Sequence, residues 1–350
     1  MTTALYFILV LSVLVFIHEL GHFLLAKMVG IRVERFSIGF PPRMFGRKIG
    51  ETDYCISWIP LGGYVKMSGM VDESMDATIS GAPWEFMSKS VFQRFLVIFA
   101  GPAMNYLLAV VLFAAITWSQ GERHPAGAVV QSVSDNMPAA LAGVQAGDRL
   151  LAIGETPVAT TTDVKILIEQ AGANTSIAMT LLRGADTVRV SAATEFNPEL
   201  GRAVLGFSMR QAYEYSPVGP GAALASGFAE TIHLTRMIGS AFARIFDGSE
   251  SARDSLAGPV GIARMVGEVA RTGMIPLLRF MAFLSLQLAL LNMLPIPVLD
   301  GGHIVFLMLE SIMRRPVSIR TRMVVQQIGM VFLLGVMVFV IFNDIRRLFL

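Results

Sequence analysis

The run from Ala4 to Val29 is apolar, with no charge before His18 and only Glu19 before Lys27. A stretch of that length with so few charges reads as a helix that crosses a lipid bilayer. Its n-region, Met1-Thr2-Thr3, lacks Lys and Arg, and the run is too long for the h-region of a signal peptide, so a retained span is expected. Inside it lies His18-Glu19-Leu20-Gly21-His22. Histidines at i and i+4 share one helix face and can direct two ring nitrogens at one Zn²⁺. The glutamate between them has the spacing of a general base acting on a metal-activated water. Ionisable groups at membrane depth are costly, which makes this cluster a functional site by default.

Composition agrees with a chain built in lipid. Hydrophobic residues make up 54% and charged residues 15%, and the mean hydropathy is +0.60, which with long uncharged runs reads as a polytopic membrane protein. The net charge of +2, with no basic block interleaved with aromatics, gives no footing for nucleic acid. A single cysteine, Cys55, excludes an internal disulfide and any Cys-rich zinc site, so a metal must rest on His and carboxylate.

The first span (residues 1–30) is followed by Lys27, Arg32, Arg35, Arg43, Arg47 and Lys48, a cluster that marks the cytoplasmic side and turns the N-terminus outward. His18 then lies some 20 Å along the helix at about 1.5 Å per residue, nearer the cytoplasmic face. Residues 31–90 are broken by Gly and Pro. Asp53–Ile59 and Tyr64–Met67 have strand composition, so a β-hairpin region on the cytoplasmic side is expected, dipping toward the membrane. Its edge suits pairing with an extended peptide, and residues 72–90 read as a polar loop. A second span (91–119) contains Ala100-Gly101-Pro102-Ala103-Met104-Asn105, small residues for close helix approach and an amide. Asn105 suits either a hydrogen bond to substrate or oxyanion, or a bond between helices.

Residues 120–210 change character. A first strand near Gly127–Val130, a short helix from Met137, a second from Thr161 to Ala171, and a hairpin around Arg183-Gly184 form an α+β unit. The pattern Pro-Ala-x-x-Ala-Gly-Val-x-x-Gly-Asp-x-Leu-x-x-Ile-Gly, from Pro138 to Gly154, resembles a PDZ domain of the bacterial, permuted kind. That resemblance implies a small β-barrel with a groove for an extended peptide. Residues 211–274 read as amphipathic helices at the outer interface. Residues 275–313 are too long for one crossing and break at Asn292-Met-Leu-Pro295-Ile-Pro297-Val-Leu-Asp300-Gly-Gly-His303. A carboxylate stranded at such a break calls for a cation, so Asp300 is the expected third metal ligand, with His303 its rival. Asn292 is placed to hold substrate backbone near the break. Arg314, Arg315, Arg320 and Arg322 make residues 314–322 a cytoplasmic loop, and 323–345 a fourth span. The fold expected is thus four transmembrane helices, an inserted cytoplasmic-side β-hairpin region and an extracytoplasmic PDZ-like domain.

Taken together, H-E-L-G-H, G-G-Y-V-K-M at Gly62–Met67, A-G-P-x-x-N, the PDZ-like unit and N-x-x-P-x-P-x-L-D-G-G-H resemble the site-2 proteases, in their bacterial RseP-like branch. Better-known members carry two PDZ domains in tandem, and this chain has room for one. The resemblance implies an intramembrane zinc endopeptidase of the bacterial inner membrane, with a periplasmic PDZ-like domain and an active site near the cytoplasmic side. It implies one Zn²⁺ on His18, His22 and Asp300, Glu19 as catalytic base, and Gly62, Gly63, Tyr64 and Asn292 against substrate. Substrates would be single-span membrane proteins such as anti-sigma factors or signal-peptide remnants, and the PDZ-like groove would take a peptide or the substrate's outer part. A divalent-cation transporter would also place His and Asp in broken helices, but no internal repeat is visible. A silent scaffold built on the PDZ-like groove would explain only residues 126–207.

Overall fold

In the computed structural model the apolar runs become long helices: α1 (Thr2–Met28), α2 (Val91–Gln120), the pair α7 (Met274–Asn292) and α8 (Asp300–Met313), and α9 (Ile319–Phe349). The structure describes residues 2–70, 79–198, 200–249 and 258–349; the first part of the loop expected over 72–90 and the stretch 250–257 lie outside the described residues. Among the described residues four helices are long and apolar enough to cross a membrane, namely α1, α2, α7 and α9. Contacts divide the chain into two units, residues 1–116 with 220–350, and residues 117–219.

In the first unit, α1 and α2 meet at glycine. A Cβ on Gly21 would stand 2.3 Å from the Ala100 carbonyl oxygen, and one on Gly101 2.3 Å from His22 Nε2. Only hydrogen at both positions lets the backbones approach this closely. Nearer its N-terminus α1 buries Val10 and Leu14 against Val266 of α6 (Pro259–Thr272) and Leu277 and Met281 of α7.

Helix α5 (Pro220–Phe246) lies in the stretch expected to hold amphipathic helices, and it packs on α2. Gly227 sits against the backbone of Val110 and Ala114, Thr235 against the Tyr106 hydroxyl, and Ile238 against Ala109 and Phe113. Gly227 and Thr235 thus bring α5 against the middle of α2. Ala223, Gly227, Thr231 and Thr235 recur every four residues and form the small stripe that permits it. Thr231 and Thr235 return their hydroxyls to the carbonyls of Gly227 and Thr231, leaving no orphan polar group on that face.

The segment after α1 folds as two long antiparallel strands, β1 (Val33–Ile49) and β2 (Thr52–Met67). The Gly and Pro residues that suggested short pieces are instead absorbed as register shifts within continuous strands. The ribbon curls on itself, so Phe36 has two partners, Val65 and Tyr54. Phe36, Val65 and Met67 pack with Ala26, Ile31 and Val97, which fastens the ribbon beside the histidine end of α1.

The second unit is a sheet in the order β10-β3-β4-β6-β7, with β5 on β4 and a separate β8–β9 pair. Its strands are β3 (Glu122–Val133), β4 (Arg149–Ile153), β5 (Thr156–Pro157), β6 (Ser176–Arg183), β7 (Asp186–Ala193), β8 (Glu195–Asn197), β9 (Arg202–Val204) and β10 (Phe207–Ser216). Helix α3 (Pro138–Leu141) is a single turn, and α4 (Thr161–Ala171) starts on a capping box in which Thr160 and Asp163 satisfy each other's backbone amides. Ala128, Val130, Leu150, Met179 and Leu181 form the core with Val164 and Ile168. The unit runs past the expected end at residue 210. Glu122–Pro125, at the start of the expected unit, pairs with Tyr213–Ser216 and carries β10 onward.

Asp148 is the ionic anchor of this unit. Its carboxylate accepts from Arg183 Nε and Nη2, both at 2.8 Å, and from the Gln145 amide at 2.9 Å. The Arg183 hydrogen bonds hold its pKa below the usual aspartate value. A carboxyl with a depressed folded-state pKa stabilises at pH above its unfolded value and loses that contribution as pH falls through the folded one. Thermal stability of this unit is therefore expected to fall in acid below about pH 4, and less steeply in Arg183→Met, as read by melting the full chain across pH 2–7. Equal slopes in both proteins would remove Asp148 from the acid transition.

Candidate active site

His18 and His22 are one turn apart on α1, and Asp300 is the first residue of α8. Proline supplies the break: the chain leaves α7 at Asn292 and passes through Pro295 and Pro297 before restarting at Asp300. The restart is tight. A Cβ on Gly301 would stand 2.1 Å from the Leu294 carbonyl oxygen, and one on Gly302 2.4 Å from that of Ile296. Val298 has φ +84°, a strained value for a β-branched residue, two positions before Asp300.

The three side chains converge. Asp300 Oδ2 is 3.1 Å from His18 Nε2, Oδ1 is 3.4 Å from His22 Nε2, and the two Nε2 atoms are 3.2 Å apart. One ligand atom from each lies within 4.8 Å of the others, and they form the one such group of three among the described residues. Asp300 Oδ2 is buried with no hydrogen bond of good geometry, a costly state for a carboxylate that a cation relieves. Two imidazoles and a carboxylate are also the donor set of hydrolytic zinc sites, with one position left for water. The residues fit a zinc ion. His303 stands apart from the group, 3.4 Å by its Nε2 from Gln326 Nε2, so the rival third ligand is set aside.

His22 Nδ1 donates to the Val97 carbonyl at 2.8 Å, which turns its Nε2 lone pair to the cluster. Gly101 makes the room for that ring, so Gly101→Ala is expected to lower zinc content to below half of wild type at sub-stoichiometric chelator. Metal analysis of the purified protein reads this out, and full zinc occupancy would contradict it.

Glu19 reaches the opposite way, toward the ribbon. Its carboxylate accepts the Val65 backbone amide, and a Cβ on Gly63 would come 3.5 Å from its Cγ. A cavity of about 600 Å³ opens here, bounded by His18, Glu19, His22 and Asp300 together with Gly62, Gly63, Tyr64, Asn292 and His303. Tyr64 is steadied by Arg35, whose Nη1 lies 3.2 Å from its hydroxyl. Asn105 does not line the cavity and is completely buried, so its expected contact with substrate is corrected. It lies behind His18, its Nδ2 3.4 Å from Nδ1 of that ring. Neither Val97 nor the part played by Gly101 could be named from sequence, since a backbone carbonyl has no residue signature.

Residues 6–336 match the model of peptidase family M50. The chain belongs to peptidase family M50. This M50 peptidase is 37% identical over 338 residues to a protein of Clostridium perfringens named a zinc metalloprotease, covering 97% of each chain. It is 30% identical over 427 residues to the regulator of sigma-W protease RasP of Bacillus subtilis, covering 99% of each. In structure it is similar to the PDZ domain of an SdrC-like protein from Listeria monocytogenes, at 19% identity, over 24% of this chain and 86% of that one, with a TM-score of 0.23. The M50 peptidase is therefore a zinc metalloprotease of the site-2 protease family and a membrane protein.

Proposed function

We propose that the protein hydrolyses peptide bonds in or beside the membrane-spanning segment of single-span membrane proteins. The observation that carries this reading is the setting of the cluster: His18, Glu19, His22 and Asp300 face a cavity that is walled by a strand, and the three residues from α1 sit on a helix long enough to cross a bilayer. His18, His22 and Asp300 hold the zinc, which supplies a Lewis acid and a water of lowered pKa. Glu19 takes the proton from the attacking water and returns it to the leaving amine.

A helical substrate keeps its amides in i→i−4 hydrogen bonds and must unwind before attack. Among the described residues the strand pairing of Gly62–Met67 is with β1, and the stretch lines the cavity, which places it to take the unwound segment as a further strand. Asn292 offers both a donor and an acceptor from the opposite wall. The basic segments after α1 and α8 put this end on the cytoplasmic side of the inner membrane and the PDZ-like unit in the periplasm. There the unit binds a peptide or screens the outer part of the substrate. RasP is named for sigma-W regulation, and the site-2 resemblance implies anti-sigma factors and signal-peptide remnants, the substrate class we assign here.

The test is reconstitution in liposomes with a single-span substrate and mass-spectrometric mapping of the cut bond. Zinc-dependent cleavage within or next to the span is expected. Cuts confined to the soluble part, or zinc uptake into the vesicles without cleavage, would overturn the reading, the latter in favour of transport.

A further inference from the structure

Each zinc-binding histidine needs its Nε2 lone pair facing the cluster, which requires the proton on Nδ1 and an acceptor to hold it there. His22 has that acceptor in the Val97 carbonyl, at 2.8 Å. The counterpart for His18 is the Asn105 side-chain amide, placed with Nδ2 3.4 Å from Nδ1 of the ring. In that placement Asn105 donates, so a neutral His18 carries its proton on Nε2, pointing between His22 Nε2 and Asp300 Oδ2. No lone pair then remains for a metal. The Oδ1 of the same amide is buried and without a hydrogen bond.

The oxygen and nitrogen of an amide are told apart by the network around them. Turning this one exchanges which of its two atoms lacks a partner, so hydrogen-bond counting alone is indifferent. The histidine decides the matter. Asn105 is completely buried, and its backbone carbonyl accepts the Ser285 hydroxyl from α7 at 2.8 Å, which fixes where the amide sits. On the zinc reading of the site, we propose that Asn105 is a positioning residue. Its amide oxygen accepts the His18 Nδ1 proton and so selects the tautomer that presents Nε2 to the metal. Both histidines are then oriented by carbonyl-type oxygens of α2, one from the backbone and one from a side chain four residues beyond Gly101.

The test compares zinc affinity, by competition with a chelator, for the full chain in detergent. Asn105→Leu keeps the volume and removes the acceptor, and is expected to bind zinc about 10- to 100-fold more weakly. Asn105→Asp keeps an acceptor that cannot donate, and is expected to stay within about threefold of wild type, which a loss of packing alone would not restore. Wild-type affinity in Asn105→Leu overturns the proposal, as does an equal loss in both variants when both melt with wild type. Solid-state NMR of the zinc-loaded wild type with ¹⁵N-labelled histidine needs no variant. Both ligating rings should carry the proton on Nδ1, and a ligating ring protonated on Nε2 overturns the proposal. A wild type that binds no zinc would instead overturn the zinc site itself.

Discussion

Glu19→Gln is expected to reduce peptide hydrolysis by about 10²–10⁴-fold while leaving one zinc per chain. Glutamine has the size of glutamate and can accept the Val65 amide as the carboxylate does, so the contact between α1 and the ribbon survives. What disappears is a group able to take a proton at neutral pH, a loss of about 3–5 kcal/mol of transition-state stabilisation. The metal should remain because its three ligand atoms come from His18, His22 and Asp300. Measuring metal content and cleavage on the same preparation separates the two roles. Full activity would remove Glu19 from the chemistry, and joint loss of zinc and activity would make it part of the metal site.

The second large effect is on stability, away from the cavity. Glu310 of α8 is ion-paired with Arg94 in the first turn of α2 at 2.8 Å and accepts a hydrogen bond from Arg322 in the first turn of α9. All three residues are buried, and the Val317 amide takes up Glu310 as well, at 2.9 Å. Glu310→Ala leaves two arginines facing each other without a counter-charge, and such an uncompensated buried charge costs about 3–5 kcal/mol. A drop in melting temperature in detergent is expected, with zinc content reduced as α8 loosens. Replacing the glutamate and both arginines by apolar residues of similar volume should be much milder, because the desolvation cost leaves with the charges. A single variant as stable as wild type would show that water reaches the triad.

The metal half-sites were legible for a physical reason. His18 and His22 declare themselves by a period of four on a helix, and Asp300 by the cost of a carboxylate where proline breaks an apolar run. Local patterns also gave α4 with its Thr160–Asp163 cap and the turn at Arg183-Gly184. Pairings between distant segments were not legible. Glu310 is one charge near the end of an apolar run until Arg94 and Arg322 are brought to it, and Asp344 gives no sign that it holds the amides of Gly258 and Gly261. Asn105 was visible as a buried amide, but the direction it faces depends on how α2 rotates about Gly101. The packing of α5 on α2 was hidden too, since a stripe of small residues does not say which helix it meets.

The distance in sequence between His18 and Asp300 also governs when the enzyme becomes active during its synthesis. The first helix enters the membrane carrying two histidines and a base, but the carboxylate that completes their site is translated some 280 residues later. Until α8 arrives, the nascent chain holds two of the three clustered side chains. The clasp of Asp344 on Gly258 and Gly261 forms later still. The cluster of His18, His22 and Asp300 is therefore incomplete until most of the chain has been made.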